Sequence, residues 1–182
     1  MMMSEQTTRK PLLEIRDLSL SFHQQTQLAV DRVSLNITTG STLGLVGASG
    51  AGKSSIARAV LRLNIRDSGE ILFKGTSLDR MDPQALKAAR QRIQLIFQDP
   101  SGSLSPRRTI EQTLLEPLQH FAIGDAVYRN KKIRETLHTV GLNKSALQRY
   151  PHQFSSGQQQ RIAIARALAV SYTHLTLPTM LA

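Results

Sequence analysis

Gly47-Ala48-Ser49-Gly50-Ala51-Gly52-Lys53-Ser54 is the stretch that decides the reading of this chain. It matches G-x-x-x-x-G-K-[ST], a phosphate-binding loop. The flanks agree. Leu43-Gly44-Leu45-Val46 is a short apolar run that predicts a buried strand, and Ile56, Ala59, Val60 and Leu63 fall at helical spacing, predicting a helix over 55–63. Strand, glycine loop and helix together make an anion site. Glycines let the backbone turn tightly and aim successive N–H groups at one anion. The helix start adds unpaired amides and the positive end of its dipole. In such a loop Gly47, Ala48, Ser49, Gly50, Ala51 and Gly52 offer backbone amides. Lys53 reaches the β- and γ-phosphates of a nucleotide, the Ser54 hydroxyl suits Mg²⁺, and Ser55 completes the first turn.

Composition narrows the rest. The chain has 182 residues, 40% of them apolar, so one domain with room for an inserted lobe is expected. Its net charge is +10, from 23 basic and 13 acidic residues. That balance suits nucleic acid, anionic lipid or a phosphorylated ligand. The tightest basic clusters, Arg107-Arg108 and residues 129–134, are not interleaved with aromatics, which make up 4% of the chain. A nucleic-acid partner is therefore not expected. There is no cysteine, which excludes a disulfide framework and a cysteine metal site. The first residues lack the apolar core of a signal peptide. No run approaches the ~18 apolar residues of a spanning helix. No direct membrane span is expected, and a membrane role has to pass through a partner.

Along the chain, Leu13, Ile15, Leu18, Leu20 and Phe22 alternate around a slip at Asp17, and Val33, Leu35 and Ile37 alternate again, predicting two strands with a polar turn over 23–28. A turn at Asp67-Ser68-Gly69 leads into a strand at Glu70-Ile71-Leu72-Phe73, closed by Lys74-Gly75. Asp82-Pro83 reads as N-cap and first helical residue. Ile93 to Phe97 reads as an apolar strand ended by Pro100. Beyond it Thr109, Asp125 and Ser155 are candidate caps of three helices, with Gly141 as a C′ residue and a short helical piece over 144–149. Residues 101–170 read as mostly helical, and 11–100 as alternating strands and helices.

Three more stretches join the loop. Phe22 closes the strand that precedes it. Gln98 stands in Ile96-Phe97-Gln98-Asp99-Pro100. Phe154-Ser155-Ser156-Gly157-Gln158 opens a helix and is followed by Gln160-Arg161. In this order and spacing they resemble the nucleotide-binding subunit of an ATP-binding-cassette (ABC) transporter, over residues 11–170. The resemblance implies an α/β fold with a P-loop NTPase (ABC ATPase) core over 11–100 and an inserted helical subdomain with the signature motif over 101–170; residues 1–10, polar throughout most of their length, are expected to be a disordered N-terminus. It implies ATP and Mg²⁺ as ligands, with Ser54 and Gln98 serving the metal. Phe22 then stacks on adenine, although a core strand residue is an equal reading. Gln98 is then the Q-loop glutamine that senses Mg²⁺ and the attacking water, against a solvated loop glutamine. Ser155, Ser156, Gly157 and Gln158 are then the signature motif, which closes over ATP held by the opposite subunit, against an ordinary capped helix. A helix N-terminus suits that use, since its amides meet an anion.

Two departures from the family pattern stand out. The first glycine of the signature is here Ser156, which puts a side chain where ATP should approach. After Val170 the family continues into an apolar strand ending in two acids, one holding Mg²⁺ through water and one polarising the attacking water, and a switch histidine follows much later. Here the acids' positions are Pro178 and Thr179, and no acid follows Glu135. His174 is too early for the switch. Residues 171–182 are an atypical tail, expected to mark a broken reading frame or foreign junction near residue 171, with a natural short form as the alternative, so that the C-terminal half is missing and the chain is an inactive fragment.

Within the family, Phe97-Gln98-Asp99-Pro100, Ser103-Leu104-Ser105-Pro106-Arg107, Glu116-Pro117-Leu118 and Tyr150-Pro151-His152-Gln153-Phe154 resemble the ATPases of peptide and nickel importers. The function implied is ATP-driven uptake of peptides or nickel at the cytoplasmic face of a bacterial inner membrane. The partners implied are transmembrane permease subunits and a second ATP-binding subunit. Competing readings are an ABC ATPase without a membrane partner, an ATP-binding module without hydrolysis, and a basic nucleic-acid binder.

Overall fold

The computed structural model describes residues 10–21, 28–64 and 66–170. The chain forms two compact units that divide between Arg90 and Gln91. Phe22 and residues 171–182, on which expectations were placed, lie outside the described residues.

The first unit is built on a four-stranded antiparallel sheet, in the order β2-β1-β3-β4. The long pair is β1, Pro11–Ser21, and β2, Leu28–Thr38. The slip expected at Asp17 is a bulge: the register shifts between Ile15 and Leu18, and Asp17 takes φ 46°. Gly69 explains how β3, Ser68–Phe73, passes that bulge. Its φ is +91°, and a Cβ there would lie 2.5 Å from the Asp17 carbonyl oxygen. The glycine read as a turn residue is thus the close-approach point of a strand. β2 also starts earlier than its alternation suggested, because a second bulge at Arg32 (φ 44°) shifts Val30 out of phase with Val33. Lys74 and Gly75, at φ 53° and 80°, form a two-residue turn of the I′ kind into β4, Thr76–Ser77. Ile15, Leu18, Leu20, Val30, Ile71 and Leu78 are buried in this unit.

Helix α1, Lys53–Val60, is shorter than predicted. Arg62 sits at φ 54° as its C′ residue, with Arg62 N–H donating to the Ala59 carbonyl and Leu63 N–H to Arg58. That is a Schellman end made without glycine. The Arg62 guanidinium donates to the Leu78 carbonyl and lies 3.4 Å from Asp79, which holds the strained residue in place. Helix α2, Pro83–Arg92, begins as predicted, with Asp82 Oδ1 accepting from Ala85 N–H at 2.8 Å.

Two predicted strands are corrected. Leu43-Gly44-Leu45-Val46 and Ile93 to Phe97 are in no ladder. Leu43, Leu45 and Val46 are 42, 45 and 99% exposed. Among the described residues no strand runs beside either segment. A strand cannot be made by an apolar run alone, because its N–H and C=O groups need a neighbour's ladder.

The second unit is helical. Thr109 caps α3, Ile110–His120, in a reciprocal box with Gln112. Asp125 caps α4, Ala126–Thr139, and Gly141 (φ 71°) ends it as C′, with Leu142 N–H reaching the Leu137 carbonyl. Residues Lys144–Gln148 form a 3-10 turn, and α5 runs Ser156–Val170. Ile110, Leu114, Leu118, Ile133, Leu137 and Ile162 are fully buried together at the centre of these helices.

Candidate functional site

The loop of residues 47–52 delivers its chain directly into α1. A turn at Ser49-Gly50 is closed by Ala51 N–H on the Ala48 carbonyl at 3.2 Å, with Gly50 at φ 82°. Gly52 is the N-cap of α1 at φ 80°, and a Cβ on it would lie 2.3 Å from the Ala29 carbonyl oxygen. Glycine at this position therefore lets the loop press on β2. The Ile56 N–H then donates to Gly52, starting the helix ladder.

The Lys53 ammonium lies at the mouth of the loop, donating to the Gly47 carbonyl at 2.7 Å and to Ala48 at 2.6 Å. Its charge is held where an anion would meet the loop amides. Residues 47–51 and Ser54 are exposed, Lys53 is half-buried, and Ser55 is buried under the first turn. A Cβ on Gly50 would meet nothing within 4 Å. These groups fit a polyphosphate: exposed loop backbone, one ammonium, a helix start and an open approach, although the Ala51 N–H is taken by the Ala48 carbonyl. The Ser54 hydroxyl, exposed on the first turn, is the oxygen available to Mg²⁺ beside it. Among the described residues no cluster of His, Cys, Asp or Glu forms a metal site of its own.

A second concavity of this unit, about 460 Å³, is lined by Arg62, Arg66, Asp67 and Asp79 among others. Its charges are already committed. Asp79 is held by Arg62 and Arg66, and Asp67 accepts from the Ser21 hydroxyl at 3.0 Å.

The other predicted residues lie in the helical unit. Gln98 is exposed at a bend that follows residues 93–97. At the start of α5, Ser155 N–H donates to Gln158 Oε1 at 3.0 Å, and Gln158 N–H reaches the Ser155 hydroxyl at 3.4 Å. Gln158 therefore closes a capping box on its own helix. Ser156 and Gly157 are exposed, with open space around Gly157, so the amide face of the first turn is accessible. Ahead of it the turn Pro151–Gln153 is fastened by Gln159, whose side-chain NH₂ donates to the Pro151 and Phe154 carbonyls at 2.9 and 3.1 Å. The Arg149 guanidinium covers the Phe154 ring at 4.2 Å.

Sequence reasoning missed the roles of Gln159 and Arg149. The Ser-x-x-Gln spacing was a readable sign of the capping box. Nothing local marked Arg166, whose guanidinium on α5 donates to the Ser103 carbonyl at 2.7 Å, 63 residues away. Burial pulls the Arg166 guanidinium down from its ordinary value, and the Glu116 carboxylate partly offsets this. Among the described residues no helix is long and apolar enough to cross a membrane.

A profile of the family described as "ABC transporter" matches residues 30–177. The chain is similar to the oligopeptide transport ATP-binding protein OppF of Streptococcus mutans, with 45% identity over 166 residues, 89% of this chain and 54% of that protein. It is similar to the oligopeptide transport ATP-binding protein AppF of Bacillus subtilis, with 42% identity over 173 residues, 90% of this chain and 53% of that one. The chain thus spans about half the length of the curated relatives it matches. Among solved structures it is similar to the ATP-binding cassette MJ0796, in a dimeric post-hydrolysis state bound to ADP and Pi. The TM-score is 0.77 and the identity 29%, over 87% of this chain and 69% of that one.

Proposed function

This chain belongs to the ABC transporter family, and from that premise we propose that it is the ATP-binding part of a peptide-import ATPase. Membership implies a nucleotide ligand. ATP with Mg²⁺ is the form the loop suits best. The observation that carries the reading is the Lys53 ammonium, 2.6–2.7 Å from two loop carbonyls at the start of α1. Peptide as the cargo is supported by the names of the oligopeptide-transport relatives. Nickel gains no support from those names.

In this reading residues 47–55 bind the phosphates, with Lys53 and the loop amides taking the negative charge. Mg²⁺ when bound neutralises further phosphate charge, and Ser54 and Gln98 are the residues that serve it. Residues 155–158 offer their helix start to ATP on a second ATP-binding subunit. In this reading the ATP-binding core spans residues 11–100 and the helical subdomain 101–170, whereas the compact units divide between Arg90 and Gln91. Permease subunits carry the cargo, and the protein works peripherally at the cytoplasmic face of a bacterial inner membrane. A second reading is nucleotide binding without hydrolysis, favoured by the engagement of Asp79 and Glu116 in ion pairs and of Asp82 and Asp125 as helix caps.

Lys53→Ala tests the site. Charge-assisted hydrogen bonds to phosphate contribute about 1.5–3 kcal/mol each. The variant is expected to bind a fluorescent ATP analogue several-fold or more weakly, with an unchanged circular dichroism spectrum. Equal affinity in the two proteins would remove the assignment.

A further inference from the structure

The turn that follows Gln98 is fastened more firmly than an exposed loop requires. Ser103 closes it from two atoms, its N–H at 3.1 Å and its hydroxyl at 2.9 Å from the Pro100 carbonyl. Gly102 packs under the Asp99 carboxylate, where a Cβ would lie 3.1 Å from Oδ2. The next residue, Leu104, is 3% exposed and belongs to the helical core. A further tie is Arg166 on α5, whose guanidinium donates to the Ser103 carbonyl at 2.7 Å.

Arg166 is half-buried, and its charge is flanked by Glu116 on α3, which also holds Arg108 at 2.6 Å. A guanidinium always carries its charge and donates in a fixed fork. Its bond to a carbonyl is charge-assisted and directional, unlike the contact of Leu104, which sets depth without orientation. The helix that supplies Arg166 is the one that opens with residues 155–158.

We propose that Arg166 is a positioning residue that ties the signature helix α5 to the turn carrying Gln98, so that Gln98 and residues 155–158 respond to nucleotide as one block. This rests on the nucleotide-site reading given above. A displacement of the α5 start by a phosphate group is passed along a rigid helix to Arg166, then through the Ser103 carbonyl to the turn. Removing the guanidinium leaves the core side chains in place and uncouples the turn alone.

The test uses the full chain with Arg166→Met, similar in length and without the donor, and Arg166→Lys, which keeps the charge but not the fork. Amide hydrogen exchange is followed over residues 97–105 and over α3 and α4. Affinity for a fluorescent ATP analogue is measured with Mg²⁺ and with EDTA. In Arg166→Met, exchange over 99–104 is expected to rise tenfold or more while α3 and α4 keep their protection. Affinity in EDTA is expected to hold, and the gain on adding Mg²⁺ to fall several-fold. Arg166→Lys is expected to recover part of both, and it decides the matter should the methionine variant not fold. Unchanged exchange over 99–104, exchange rising equally in α3 and α4, or a Mg²⁺ gain equal to wild type would each overturn the inference while leaving the nucleotide site standing. No affinity for the analogue in wild type would overturn the proposed function, and this inference with it.

Discussion

Gly52 and Lys53 are adjacent and do opposite things. Lys53 keeps a charge at the loop mouth, and Gly52 gives up a side chain so that the loop can lie against β2. The glycine's φ of 80° costs any other residue about 1–3 kcal/mol. The Ala29 carbonyl oxygen, 2.3 Å from an added Cβ, forces a backbone shift besides. Gly52→Ala is therefore expected to lower stability by at least the roughly 1–3 kcal/mol of the backbone strain, and to weaken nucleotide binding by moving the helix start. Denaturant unfolding measures the first effect and analogue titration the second. An unchanged midpoint with unchanged affinity would mean that β2 does not constrain the loop. Arg62 is the counter-case: a residue other than glycine holds a left-handed position because its guanidinium is bonded to Leu78 and Asp79.

At the scale of elements, the helix caps obeyed their local signals and two strands did not. Thr109, Asp125, Ser155 and Gly141 cap where the sequence said they would, because a cap is satisfied within a few residues. Leu43-Gly44-Leu45-Val46 has the composition of a buried strand, yet Val46 is 99% exposed. An exposed apolar run with unpaired backbone groups invites pairing with another chain. The 182-residue chain is accordingly expected to self-associate at micromolar concentration. Val46→Lys should raise the soluble fraction several-fold, read by light scattering. A monodisperse wild type with a sharp cooperative melt would count against this.

At the scale of the whole molecule, binding and chemistry separate. Hydrolysis needs a carboxylate to polarise water, and Mg²⁺ held in register. The acids after the loop are largely engaged elsewhere: Asp79 by Arg62 and Arg66, Glu116 by Arg108, Asp82 and Asp125 as helix caps. Glu135, the last acid of the sequence, lies on α4 beside Lys131 at 3.8 Å. The chain is therefore expected to bind nucleotide without turning it over. Steady-state phosphate release should equal that of Lys53→Ala. Release above that background would reveal a base among these residues. A chimera that replaces residues 171–182 with an acidic strand and a C-terminal half of the family type should be active. It would show that residues 11–170 are a sound part of an ATPase.

The glycine turn at the start of α1, the caps and the family were legible in the sequence because each rests on neighbours a few residues apart. A glycine turn, a lysine and a helix start carry their geometry with them. The slip at Asp17 was legible for the same reason, since alternation breaks where a strand bulges. What the tertiary structure decided depends on partners far along the chain. Gly69 is a glycine because β1 bulges against it, β2 starts early because Arg32 absorbs a residue, and α1 stops at Val60 because Asp79 and Leu78 hold Arg62. The bond from Arg166 to Ser103 spans 63 residues and leaves no trace in local pattern. Residues 43–46 make the same point from the other side. Hydrophobicity told which residues prefer burial, but a strand forms only where another strand comes to pair with it.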